Sequence, residues 1–567
     1  MKTGNTSKLF ALVVALCGLG SVPEVARAEV AAGAYLATRQ ATFENDFTEL
    51  SHYATRALVS APKDPQLLEA LIAANMSRGE FAGNVAQARA LLAQEPSNQA
   101  ASMSLITTQF AEGNYDAVLE TYAAGAAISP VVDEFVKSWA LVGQGNIGAA
   151  FEGFDQAVKN EPAANFFAPY NNALAYTLVG DFETAEKLLA EDAVAQTRDS
   201  LLLRMQLLSQ LERGNEALVL FDAMLGDTAD PELISTRERL EAGERLPVTA
   251  ISSAQDGLAE VFYAVALALT AGESDAFTLL YAQMALELRP DRAQYILLVG
   301  ELLEKLENYE LAAGVYAKMS SDDPNYHLAE LGRARTLREA GREDAELEVL
   351  TQLSKNRPQI ADVHVALGDA LRRRDAHEEA VEAYTKAIDL VETPTRAQWP
   401  LFFTRGIAYE RQGKWPKAEA DLRKALELEP GQPSVLNYLG YSFLEMKINL
   451  DEAMDMIRRA SNARPNDGYI TDSLAWGLYR LGRYEEALPP MERAVELMPV
   501  DPIVNDHLGD VYWAVGRERE ARFQWQRAMS FDPEEKDAER IRRKLDIGLD
   551  RVLIEEGEEP TRPVNDR

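Results

Sequence analysis

Three glycines in ALVGQGNIGAA (Ala140 to Ala150) have the spacing of a chemical motif. Gly143, Gly145 and Gly148 spell G-x-G-x-x-G, the turn that lets a backbone close on the pyrophosphate of NAD or FAD. That turn needs a strand before it and a helix opening within it. Here Phe135, Trp139 and Val142 fall at i, i+4 and i+7, a helical spacing. The acidic residue expected about 20 positions further on is missing around Ala168. The glycines therefore read as the end of one helix and the start of another, and no dinucleotide cofactor is expected.

The other reactive residue types thin out in the same way. His52, His327, His364, His377 and His507 stand apart, with no pair at i, i+4 and no H-E-x-x-H, so no metal site is expected. Ser60 to Lys63 matches S-x-x-K, but Pro62 places it in a turn between helices. Neither a phosphate-cradling G-x-x-x-x-G-K-[ST] nor a nucleophile elbow G-x-S-x-G occurs. Cys17 is the only cysteine. No catalytic constellation stands out, and the expectation is a protein that is not an enzyme.

What positions these residues is a periodic framework. Pro62, Pro96 and Pro130 are spaced by 34, as are Pro290, Pro324 and Pro358, and Pro465, Pro499 and Pro533. The segments before the prolines align: GKWPKAEADLRKALELEP (Gly413 to Pro430), GRYEEALPPMERAVELMP (Gly482 to Pro499) and GREREARFQWQRAMSFDP (Gly516 to Pro533). Each holds a small–bulky–small triplet at spacings of four and three: Ala418/Leu422/Ala425, Ala487/Met491/Ala494 and Ala521/Trp525/Ala528. Such spacings share one helix face. GNIGAAFEGFDQAVKNEP (Gly145 to Pro162) fits the same frame with Ala150, Phe154 and Ala157. A preceding helix carries Leu-Gly and a bulky residue three later, as in Leu439-Gly440/Phe443 and Leu508-Gly509/Tyr512. Glycine inside a helix costs about 1 kcal/mol against alanine, so its recurrence at one slot predicts close approach of the partner helix.

This pattern resembles the tetratricopeptide repeat. The match is strong from Val363 to Pro533, clear from Ala31 to Pro162 and from Gln294 to Pro358, and degenerate from Pro169 to Pro290. In one copy Val118 and Gly125 replace the two alanines. The resemblance implies an all-α fold, an α-solenoid superhelix of about fourteen helix–turn–helix repeats with a C-terminal capping helix. Ordering 34 residues costs on the order of 50 kcal/mol, so each helix pair is expected to rely on its neighbours. The expected organisation is a signal peptide over 1–28, an N-terminal repeat block over 29–228 and a joint over 229–256. A C-terminal repeat block over 257–533 follows, then a capping helix with an acidic tail over 534–567.

The first 28 residues have a basic start (Lys2, Lys8), an apolar run from Leu9 to Leu19 and an A-x-A site at Ala26–Ala28, which predicts cleavage between Ala28 and Glu29. The mature chain is then exported and periplasmic, without a cysteine or a transmembrane segment. A lipid-anchored outer-membrane form through Cys17 is the alternative, disfavoured by the bulky Leu16 before it. A net charge of −33 argues against a nucleic-acid partner, which requires a basic stripe.

In the family, the first helix of each pair lines a concave groove, at slots three before, one after and four after the conserved Gly position. In the last three repeats these slots hold Asn437, Tyr441 and Leu444; Asp472, Trp476 and Tyr479; and Asp506, Asp510 and Trp513, with Tyr469 and Arg480 nearby. Aromatic rings beside Asn and Asp suit a protein or peptide client, and the acidic slots favour a basic one. The competing reading is that Trp476, Tyr479 and Trp513 pack between repeats. The stretch LNYLGYSFLEMKINLDEAMDMIRRA (Leu436 to Ala460) also resembles exported bacterial proteins of this family, some of them adaptors that bring substrates to an envelope protease. The expected function is a periplasmic scaffold or adaptor that binds a client in its groove and presents it to a protease or other envelope complex. The alternative is a structural component of an envelope assembly or polysaccharide-export machine.

Overall fold

A computed structural model describes residues 32–160, 167–191, 197–225, 228, 230–272 and 274–562. Cys17, Ala28 and Glu29 lie outside the described residues. Among those described, the regular structure is α-helix with two short 3-10 helices, and there is no strand. The chain forms two compact units, divided between Val349 and Leu350.

Helix pairs form where the repeat frame predicts them. In the second unit the pairs include Trp399–Arg411 with Trp415–Leu428, Pro433–Glu445 with Leu450–Ala463, Gly468–Arg480 with Tyr484–Leu497, and Pro502–Ala514 with Glu518–Met529. The first helix starts at an acidic cap where the sequence reads Asp-Pro. Asp501 accepts from Ile503 N (2.9 Å) and Val504 N (3.0 Å), and Pro502 takes a position whose N–H would be unpaired anyway. Glycines of positive φ (Gly413, Gly482, Gly516) then turn the chain into the second helix. All three predicted small–bulky–small triplets of this unit are fully buried. The helical glycines face the bulky member. A Cβ on Gly440 would meet Ile457 at 2.8 Å, and one on Gly509 would meet Trp525 at 2.4 Å. Close approach is therefore what the in-helix glycines permit.

The first unit answers the G-x-G-x-x-G question. Gly143 ends the helix Pro130–Gly143, Gly145 turns the chain with φ 80°, and Gly148 lies in the first turn of the helix Ile147–Asn160. Ala150, Phe154 and Ala157 are buried as expected. Packing here goes beyond neighbour-to-neighbour stacking. The helix Ala254–Leu269 packs on Pro130–Gly143 and Ala168–Leu178, and Asp275–Leu288 packs on Pro65–Ser77 and Gln99–Ala111. These are the first helices of successive pairs, so the concave face of the N-terminal repeats is filled by later helices of the same chain. Every residue from Ala100 to Phe110 is consequently buried. Gln283 Nε2 donates to Ser77 O at 2.8 Å, and a Cβ on Gly257 would meet the Trp139 ring at 2.4 Å. Residues 230–256 hold the helix Pro231–Glu241 and then a non-helical run pinned by Thr249, whose N donates to Gln206 Oε1 (3.0 Å) and whose Oγ1 accepts from Gln206 Nε2 (2.8 Å).

Candidate peptide-binding groove

The predicted slots of the second unit fall into a closed set and an open set. The closed set begins at Asp472. His507 Nδ1 lies 2.9 Å from Asp472 Oδ1, and both side chains are about nine-tenths enclosed. Burial pulls the imidazolium down. The Asp472 charge and hydrogen bond, with Asp506 and Asp510 behind them, more than offset that and leave its pKa raised. The His507 ring stacks on Trp476 at 3.9 Å and 12°, and Trp476 stacks in turn on Tyr479 at 4.7 Å and 13°. Trp476 Nε1 donates to Glu445 Oε1 at 3.0 Å, which ties this repeat to the one before. Burial first, then the Asp510 charge, raises the Tyr479 phenol well above its ordinary range.

The last repeat's slots hold the chain's own C-terminal helices. Lys544, on the helix Glu535–Ile547, donates to both Asp506 oxygens (2.9 and 2.7 Å) and to Asp510 Oδ2 (2.8 Å). Trp525 Nε1 donates to Asp510 Oδ1 at 2.9 Å. Trp513 Nε1 donates to Asp550 Oδ2 at 2.8 Å, and the Arg562 guanidinium lies 4.9 Å from the Trp513 ring. Acidic slots do take a basic group, and in this structure it is an internal lysine.

The open set lies one repeat earlier. Tyr441 is half-buried. Its phenol is raised by burial first and then by Glu445 and Asp472. Asn437 Oδ1 is enclosed and, among the described residues, has no hydrogen-bond partner. Leu444 is buried beneath them. Tyr469 stands exposed at the start of its helix, and Arg480 ends that helix half-buried. The same slot offsets taken from Gly406 and Gly368 give Phe403, Ile407 and Glu410, and Val365, Asp369 and Arg372, all partly exposed. The slot offsets that give Asn437 and Tyr441 in the later repeats reach these six as well. Phe403 meets Tyr438 edge-on at 5.8 Å, Tyr438 Oη donates to Glu410 Oε2 at 3.1 Å, and Tyr384 Oη donates to Asp369 Oδ1 at 2.6 Å. By slot position Val365, Phe403, Ile407 and Tyr441 make an apolar strip along three successive first helices, edged by Asp369, Glu410 and an Asn437 amide oxygen without a partner among the described residues. Such a strip buries apolar side chains and accepts N–H donors. Among the described residues no group of three or more His, Cys, Asp or Glu could hold a metal ion, and no helix is long and apolar enough to cross a membrane.

Known proteins match parts of this chain. Family models described as tetratricopeptide repeat match residues 399–432 and residues 331–396 and 473–535. A TPR repeat-containing protein of Pseudomonas aeruginosa is 27% identical over 190 residues, 33% of this chain and 31% of that protein. A lipoprotein NlpI homolog of Haemophilus influenzae is 38% identical over 86 residues, 15% of this chain and 26% of that protein. This chain thus spans about a third or less of the curated relatives it matches. Among solved structures, a chain of the APC/C hetero-tetramer Cut9-Hcn1 is 14% identical, with 92% of this chain and 97% of that one covered and a TM-score of 0.38.

Proposed function

We infer the function from one premise: the chain is a tetratricopeptide-repeat protein. Repeats of this kind serve protein–protein interaction, and we read this chain as a non-catalytic scaffold of the periplasm. It holds a protein or peptide client in the open groove of the second unit and presents it to an envelope enzyme or complex. The observation that carries the reading is the Asn437 amide oxygen, enclosed and unpaired beside the half-exposed Tyr441 in a strip that runs on to Phe403 and Ile407. A buried acceptor left unpaired costs about 1–3 kcal/mol, and a turn of the Asn437 side chain, on a residue only partly buried, would bring that oxygen to a client backbone N–H. The signal-like N-terminus and the lipoprotein relative support the envelope address.

The test is site-specific photocrosslinking in cells. A photoreactive residue at Tyr441 or Ile407 should yield a discrete protein adduct, whereas one at Phe523, exposed on an outer helix, should not. Adducts at all three positions, or at none, would reject the groove. Fractionation of the same cells tests the periplasmic address.

A further inference from the structure

We propose that the outer face of the first helix pair is a self-association surface. Leu36, Gln40 and Phe43 on the helix Ala32–Glu44 pack, across a two-fold axis, against the same residues of a second copy of this chain.

Three slots of a repeat's first helix face the repeat before it: two before, two after and five after the conserved Gly position. In the last repeat these slots hold His507, Val511 and Ala514, none more than 8% exposed, and the His507 ring stacks on Trp476. One repeat earlier, a Cβ on Gly477 would meet Met454 Sδ at 2.6 Å and Leu444 Cδ1 at 2.9 Å. In the first unit, a Cβ on Gly143 would meet the Tyr115 ring at 2.4 Å. In each case the neighbour belongs to the preceding helix pair. In the first repeat the Gly position is Thr38, buried like the triplet Leu50/Ala54/Ala57 of the partner helix. The three slots then hold Leu36, Gln40 and Phe43. Leu36 is 63% exposed, and Phe43, at 84%, is the most exposed large apolar side chain among the described residues. Gln40 between them is exposed as well. End repeats ordinarily present a polar outer face. An apolar one in repeat-packing slots, with no helix pair on it among the described residues, marks an interface.

Two observations select a second copy as the occupant. Cleavage after Ala28 leaves residues 29–31 ahead of this helix. Three residues reach at most about 11 Å, and Phe43 lies about 16 Å along the helix from Ala32. The far end of the repeat stack offers no open face, because Lys544 on Glu535–Ile547 seals the last repeat through Asp506 and Asp510. Head-to-tail stacking of copies is thereby closed, and the face meets its own twin in an isologous contact. Positions 36, 40 and 43 share one side of the helix. Antiparallel packing therefore sets Leu36 of each copy on Phe43 of the other, with the two Gln40 side chains at the axis. It also turns Arg39, which makes no hydrogen bond or ion pair among the described residues, toward the Glu44 end of the opposite helix. A contact between two 13-residue helices falls below about 1,200 Å², the range of weak, reversible association. This surface lies in the first unit and does not rest on the groove reading.

The test is sedimentation equilibrium of the purified exported chain, its first residue read by mass spectrometry. The weight-average mass should climb toward that of a dimer between about 1 and 100 µM. Phe43→Glu should raise the dissociation constant at least about tenfold, and Phe43→Leu should leave it within about threefold. Phe43 is exposed, so both variants should keep the native helicity and melting temperature, and a lost dimer is then not a lost fold. Cys17 is the only cysteine, so the cleaved chain carries no other thiol. On oxidation Gln40→Cys should yield a disulfide-linked dimer, whereas Phe523→Cys, exposed on an outer helix, should not. A native chain still monomeric at about 100 µM would overturn the proposal, whether it starts at Glu29 or keeps its first 28 residues to cover the face itself. So would a dimer indifferent to Phe43→Glu, or one in which Gln40→Cys does not crosslink. Failure here leaves the crosslinks at Tyr441 unaffected, so the two readings fall separately.

Discussion

Lys544 Nζ stands 2.7 Å from an oxygen of Asp510 and 2.7 Å from one of Asp506, with the lysine side chain fully enclosed. This triad joins the helix Pro502–Ala514 to the helix Glu535–Ile547 and closes the end of the repeat stack. Burial is the largest influence on Asp506 and pushes its carboxyl up, Lys544 pulls it down, and Asp510 pushes it up again. Removing the lysine leaves the two enclosed carboxylates with Arg540 alone, 3.9 Å from Asp506 and 3.6 Å from Asp510 and itself bonded to Glu556. Lys544→Met should therefore cost about 3–5 kcal/mol of unfolding free energy, read by urea titration of far-UV circular dichroism. The triple variant Asp506→Asn, Asp510→Asn, Lys544→Met should recover most of that loss. If Lys544→Met alone is neutral, the triad does not hold the cap.

The His507–Asp472 pair should make the second unit sensitive to pH. A histidine whose folded pKa is raised contributes stability that is fully present below the ordinary value of 6.5 and is lost as pH rises through the folded value. The His507 ring proton, followed by NMR, should titrate above pH 6.5. Asp472→Asn removes the facing charge and should lower the midpoint by about 1 pH unit or more. A midpoint that does not move would mean that Asp506 and Asp510, not Asp472, set the charge of the ring.

How much of this was legible beforehand follows from which contacts are local. The triplets Ala487/Met491/Ala494 and Ala521/Trp525/Ala528, and the glycines that face Ile457 and Trp525, were readable because each repeat packs against the next and prints the same demand every 34 residues. The open slots Asn437 and Tyr441 followed from the same frame. The closure of Asp506, Asp510 and Trp513 by Lys544 and Asp550 was not readable, because the cap is a single copy with no period to align. The filling of the first concave face by 254–288 joins residues as far apart as Ser77 and Gln283, and periodicity says nothing of such partners. One hint was present. Gln99–Ala111 is apolar or small on nearly every side, as only a helix covered all round can be.

Glu260 should give the first unit a pH response of the opposite origin. It lies on the helix Ala254–Leu269 and accepts from Tyr295 Oη at 2.7 Å. Burial first, and then the Asp199 charge, push its carboxyl up to about 7, against the pull of Arg292, the Tyr295 hydrogen bond and Arg289. A carboxyl that holds its proton more tightly when folded stabilises the fold fully below its ordinary 4.5 and loses that contribution as pH rises toward 7. Glu260→Gln keeps the acceptor for Tyr295 and removes the titration. It should flatten the stability profile between pH 4.5 and 7, by up to about 3 kcal/mol at the upper end. Equal slopes for the two chains would place Glu260's proton affinity at its unfolded value.

Two glycine-to-alanine substitutions should separate close approach from backbone preference. At Gly509 a Cβ would stand 2.4 Å from Trp525 Cδ1, on an indole that is itself fully buried and held by Asp510. The ring cannot retreat without breaking that hydrogen bond, so Gly509→Ala should cost about 1–3 kcal/mol. Gly148 lies in the first turn of its helix, has ordinary φ, and would place a Cβ in open space. There Gly148→Ala should gain up to about 1 kcal/mol from helix propensity alone. Urea midpoints of the two variants should therefore move in opposite directions. A Gly509→Ala chain as stable as the native one would mean that the Trp525 helix can shift outward freely, and that the in-helix glycines are not what lets the paired helices pack.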